Sequence, residues 1–330
     1  MHRWTAAAAA CGLLLLAGCG SDDDEPAAVG AQPASAANSA ASGESPATYV
    51  PVSDVASNAA IGRDVAAIRA LIKPEKAGAK PDFAAAAEIW SKGRFSKKSD
   101  GTNRALAGFV AKHPVATRVE HALAGRGTAA SLSAAQRVQW IDKGMIVTLK
   151  LHALDEFAGA KEKLAAGELD PQEGAAHNVD EVWAYLSAEG EGVIATAAKR
   201  AADFGLGEHE LGNDVIAGIS AAQKAVTDRD AAALEAATRA TRGALNRIFA
   251  LAVKKYAVEG GADATARAEG LAFSWGLEGE LDSGDLRKIQ AAFDPQPAAG
   301  SAATVAQALD AAAAQLAITA PLPPYPPATP

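Results

Sequence analysis

Between about residues 50 and 295 apolar side chains recur every three or four positions, the repeat of a helix with one buried face. The pattern predicts helices over 60–72, 82–93, 101–112, 115–124, 133–165, 178–188, 192–203, 213–226, 230–257, 262–276 and 283–292. A further alanine-rich helix can run from 302 to 318. Local signals mark several ends. Ser133 and Asp230 stand as caps before periodic runs, and Asn178 lies three residues ahead of Glu181 in a capping-box spacing. Gly93, Gly125 and Gly205 are C-terminal stops. The expected fold is therefore all-α, a multi-helix bundle. Aspartate-led stretches at Asp64 and Asp82, and again at Asp214 and Asp230, hint at an internally duplicated helix pair.

The two ends break the periodicity. Arg3, an apolar run from Ala6 to Leu16, and Leu16-Ala17-Gly18-Cys19 together read as a signal peptide over 1–18, ending in a bacterial lipobox that would leave Cys19 lipidated. The run is too short for a bilayer core of ~30 Å, which needs ~20 residues. Membrane contact would thus come from lipid alone. Residue 20 is glycine rather than an aspartate, so an outer-membrane anchor facing the periplasm is the expectation. Residues 19–49 are rich in Asp, Ala, Ser, Gly and Pro and read as a flexible tether. Residues 296–330 form an Ala/Pro-rich tail.

Composition narrows the chemistry. The two cysteines are Cys11, within the leader, and Cys19, so a metal site in the body must use histidine and carboxylate. With a formal net charge of −8, nucleic acid is not an expected partner.

One string occurs twice: His152-Ala153-Leu154-Asp155-Glu156 and His177-Asn178-Val179-Asp180-Glu181 are both H-x-x-D-E. Positions three and four apart share a helix face, so each copy can aim an imidazole and a carboxylate at one point. That donor set suits Fe, Mn or Zn. The stripe Val138, Ile141, Met145, Thr148 leads into His152 and Glu156, so an apolar face turns ionisable while still pointing inward. Such groups need a partner or a metal. The plain alternatives are an i,i+4 pair of His152 with Glu156, and first-turn acids at Asp180 and Glu181 behind an Asn178 cap. The two strings meet only if the stretch 167–176 folds back along the first helix. His113 and His121 read as a turn residue and a solvated one, while Glu208-His209-Glu210 offers a surface metal loop. No P-loop, G-x-S-x-G, H-E-x-x-H or Rossmann fingerprint is present, so no catalytic role is expected.

The segment from His177 through Trp183-Ala184-Tyr185 resembles the H-N-x-D-E-x-W-A-F/Y signature of the Fea1-type low-iron-inducible periplasmic proteins, first known as algal iron-assimilation factors. Ile89-Trp90-Ser91-Lys92-Gly93 before Lys97-Lys98-Ser99-Asp100-Gly101, Ala198-Lys199-Arg200-Ala201 and Glu269-Gly270-Leu271-Ala272-Phe273 are similar to further stretches of that family. Ser274-Trp275 departs from the expected ending. The resemblance covers roughly 55–293. It implies extracytoplasmic iron assimilation without catalysis, with His152, Glu156, His177, Asp180, Glu181 and Glu269 as metal ligands. Iron, as Fe(III) or Fe(II), is the expected cargo, with Zn or Mn as alternatives and an envelope transporter as a possible partner. The rival reading is a non-catalytic helical scaffold or adaptor in the envelope, indifferent to chelators.

Overall fold

The computed structural model describes residues 45–294 and 300–325; the leader, Cys19 and most of the expected tether lie outside them. Among the described residues the regular structure is helical, without strands. In chain order the helices are α1 Ala56–Ala59, α2 Ile61–Ile72, α3 Phe83–Lys92, α4 Leu106–Phe109, α5 Pro114–Ala124, α6 Ala134–Ala166, α7 Ala175–Ser187, α8 Val193–Asp203, α9 Glu210–Asp228, α10 Ala231–Glu259, α11 Ala264–Ser274, α12 Ser283–Ala291 and α13 Ser301–Ala311. No helix among the described residues is long and apolar enough to cross a membrane.

Local chemistry explains most of these bounds. The Ser133 hydroxyl accepts from Gln136 N while the Gln136 side chain accepts from Ser133 N, a closed capping box that starts α6. Asp82 and Asp230 each accept from the amide three residues on, at 2.9 Å. That shared capping task accounts for much of the likeness between the two aspartate-led stretches. Where a helix was expected over 101–112, only α4 forms. Asp100 Oδ1 accepts from Thr102 N and Gly101 takes φ 82°, so the chain turns there instead of coiling.

The long helices α6 and α10 carry the core. Each is packed on several sides and so lacks the single apolar stripe of a surface helix. Helix α7 folds back on α6 as an antiparallel hairpin, and α9 does the same with α10, while α11 closes on both long helices. Backbone approach sets the position of the far end of α7. A Cβ added to Gly62 in α2 would lie 1.9 Å from the Ala188 carbonyl oxygen, just past the end of α7. Gly62→Ala is therefore expected to destabilise the protein by about 2 kcal/mol despite alanine's better helix propensity, because backbone rather than a flexible side chain must move. Chemical denaturation of the variant beside wild type measures this.

The described segments before α1 and after α13 dock on the bundle. Ala47 N donates to Asn213 Oδ1 at 2.7 Å and the Tyr49 ring lies 5.9 Å from that of Trp183, so residues 45–53 form a strap on the bundle that includes the last residues assigned to the tether from composition. Beyond α13, Leu316 is fully buried and Tyr325 donates to Glu259 at 2.6 Å.

Candidate metal-binding seam between two helices

The site begins with a glycine. Gly174 caps α7 through its backbone alone, since a Cβ there would sit 2.4 Å from the Glu168 carbonyl oxygen. Gly167 ends α6 in the left-handed region at φ 75°, and Ala175 N donates back to Glu168 O at 2.9 Å. The connection of 167–174 is thus a tight, self-bonded turn. As a result α7 starts three residues before the expected Asn178, and no capping box forms there. Asp180 and Glu181 lie well inside the helix rather than in its first turn.

The hairpin sets a register. Asn178 faces Gly159, whose missing side chain leaves room for the amide. One turn on, Glu181 faces Glu156, and one turn further Tyr185 faces His152, their rings 4.5 Å apart. Each step up α6 is matched by an equal step down α7. Two copies of H-x-x-D-E, run in opposite directions, consequently place their glutamates opposite one another with a histidine outside each. His152 Nε2 lies 3.4 Å from Glu156 Oε1, and His177 Nε2 lies 3.6 Å from Glu181 Oε1. The i,i+4 pairing expected as the plain alternative for His152 is present, and it forms half of this larger arrangement.

Half-buried carboxylates that face each other cannot both ionise cheaply. Burial, reinforced by the charge of Glu181, pushes the Glu156 carboxyl up to about 8, and Glu156 hydrogen-bonds Glu181 directly. At neutral pH Glu156 therefore keeps its proton. Each member also takes a neutral amide, Asn178 Nδ2 onto Glu156 at 2.6 Å and Asn58 Nδ2 onto Glu181 at 2.5 Å. His152 is sandwiched, its ring 3.7 Å from that of Phe109 on one side with Tyr185 on another. Burial, with Arg104 nearby, lowers its imidazole to about 4, so it is neutral and keeps a lone pair. A cleft of about 450 Å³ opens onto this row, lined by Lys98, Arg104, Phe109, His152, Glu156 and Glu181 among others.

Two nominees lie elsewhere. Asp180, fully buried, points away from the glutamate pair and binds the strap before α1. Glu269, on α11, bonds Lys143 at 3.0 Å and Tyr256 at 2.6 Å in a separate cluster. In the loop considered for a surface metal, Glu210 pairs with Arg247 at 2.9 Å. Among the described residues no three His, Cys, Asp or Glu side chains stand in a ready-made metal-holding geometry. The four seam donors come instead as two His–Glu pairs joined through the contact of Glu156 with Glu181. Asn58, Ser53, Arg104 and Phe109 escaped the sequence reading because they reach the seam from segments more than 40 residues away; Asn178 and Tyr185 were visible within the signature segment.

A family model described as low iron-inducible periplasmic protein, Fea1, matches residues 26–263, more than two thirds of the chain. The chain belongs to the Fea1 family. No curated protein and no solved structure matches it. Both H-x-x-D-E strings fall inside the Fea1 match, whereas Glu269 lies beyond it. The Fea1 description itself carries the periplasmic address and the link to low iron.

Proposed function

We propose that this Fea1-family protein captures iron, as Fe(III) or Fe(II), between α6 and α7, with Glu156 and Glu181 as the central donors and His152 and His177 flanking them. The observation that carries this reading is two half-buried glutamates facing each other between α6 and α7, where Glu156, its carboxyl raised, keeps a proton at a point from which a cation would serve both carboxylates at once. A metal ion displaces that proton, supplies the missing positive charge and turns a repulsive pair into a ligating one. Carboxylate oxygen favours Fe(III), and imidazole extends the range to Fe(II), Mn and Zn. Tyr185, beside His152, adds an oxygen within reach of the same row. The role is capture for assimilation, without catalysis, at a body anchored through lipid on Cys19, on the periplasmic face of the outer membrane, from which an envelope transporter would take the ion.

The test is direct. Purified protein loaded with iron and freed of excess is expected to retain the metal by elemental analysis, and His152→Ala and His177→Ala are each expected to weaken retention by at least tenfold. Metal-free wild type after loading, or alanine variants that retain iron as well as wild type, would overturn the reading. Stability and binding indifferent to chelators would favour the scaffold role instead.

A further inference from the structure

Asp180 belongs to the repeated string yet has no place in the glutamate row, and its four hydrogen bonds suggest another task. Tyr49 Oη donates to Oδ1 at 2.6 Å; Val52 N, Ser53 N and Ser53 Oγ donate to Oδ2 at 3.0, 2.7 and 2.6 Å. Four donors converge on two oxygens that act only as acceptors. The hydroxyl proton of Ser53 is therefore committed to Asp180. What Ser53 has left is lone pairs, and the His177 Nδ1 atom lies 2.9 Å from the same oxygen.

A hydroxyl that has given its proton away can only accept from the ring, so Nδ1 must carry a proton. In the neutral imidazole the lone pair then sits on Nε2, the nitrogen that faces Glu181. We propose that Asp180 and Ser53 are positioning residues that fix the tautomer and orientation of His177, and through it the outer end of the metal-binding row. The arrangement follows the general rule that a ligating histidine is oriented by a hydrogen bond to its other nitrogen. Here the orienting group comes from the strap 45–53 rather than from the helix that carries the histidine, with Asp180 fixing the orienter. The point concerning metal rests on the iron-capture reading; the tautomer does not.

The tautomer is read on metal-free, [¹⁵N]histidine-labelled protein at about pH 8, where an ordinary imidazole is neutral, with the His177 signals assigned by their loss in His177→Ala. The expected spectrum shows Nδ1 protonated and Nε2 bare. Ser53→Ala keeps the Tyr49 and backbone donors to Asp180, so it is expected to fold while its His177 becomes a mixture of tautomers. Iron affinity should fall about ten- to a hundredfold in that variant, and Ser53→Thr, which keeps the hydroxyl, should restore both readouts. A proton on Nε2 in wild type, or a Ser53→Ala variant with unchanged tautomer and unchanged affinity, overturns the proposal. If wild type binds no iron but the tautomer is as stated and is lost in Ser53→Ala, the relay stands and iron capture falls.

Discussion

Glu156→Gln is expected to yield a metal-free protein that is more stable than wild type and no longer binds iron. The carboxyl of Glu156 is pushed up to about 8 in the fold by burial first and by Glu181 second. In the unfolded chain it ionises near the ordinary carboxylate range, about 4.3. Between those two values the native state holds a proton that the unfolded state has released, so stability falls as pH rises through that window and is level beyond it. At pH 7 the cost is on the order of 3 kcal/mol. Glutamine has the shape of the protonated acid, can still accept from Asn178 and donate to Glu181, and never has to be protonated. The variant should therefore melt at a higher temperature at neutral pH, with a flatter dependence of its denaturation midpoint on pH from about 5 to 8. Its iron retention should drop to background, because one of the two central anionic donors is gone. A variant no more stable than wild type at neutral pH would contradict the proton held on Glu156; one that keeps its iron would contradict the assignment of the pair as ligands. A site that is costly without its ion and eased with it is the pattern expected where binding competes with stability.

The opposite sign is expected at Asp142. This carboxylate, 2% exposed, receives Arg69 Nε at 2.7 Å, Lys73 Nζ at 2.6 Å and Lys143 Nζ at 2.9 Å. Burial works to raise it, but the charges of Lys143, Arg69 and Lys73 outweigh that and hold it well below the usual carboxylate range. Its folded value lies under its unfolded one, so its contribution is fully present above about pH 4 and is lost as pH falls from there. Asp142→Asn removes the charge and leaves three cations around a buried amide. A loss of 3–5 kcal/mol is the scale for breaking such a group. Because Arg69 lies on α2, Lys73 directly follows its last residue and Asp142 lies on α6, the loss falls on the packing of α2 against the long helix. Denaturant titration at neutral pH should show the full difference, and the gap should narrow as pH is lowered towards about 3. A gap that is small at neutral pH, or that widens in acid, would show that the cluster is not held by this charge.

Helices were legible from the sequence because their period and caps are local. Ser133 with Gln136, Asp82 and Asp230 all act within four residues, and the elements they start agree with the pattern to within a residue or two. The start of α7 was not legible, since Asn178 looks like a cap and the true one, Gly174, works by its lack of a side chain against Glu168. That single shift changes the meaning of the second string, from first-turn acids to residues in mid-helix. The pairing of Glu156 with Glu181 depends on the turn at 167–174 being tight, which spacing alone leaves open. Asp180 shows the other limit. It shares a string with two seam residues, yet on a helix the residue beside a seam position points about 100° away, here towards a strap more than 120 residues earlier in the chain. Asn58 carries no local signal at all.

The strap has a further consequence for where the cargo site can go. Residues 45–53 are fixed to α7 and α9 close to His177, so the end of the lead-in from Cys19 lies beside the candidate site rather than across the bundle from it. With the proposed anchor at Cys19, 25 residues lie between it and Ser45, and at full extension that stretch spans at most about 90 Å. Under that proposal the length would bound the distance between lipid and candidate site, because the site lies at the end of the strap.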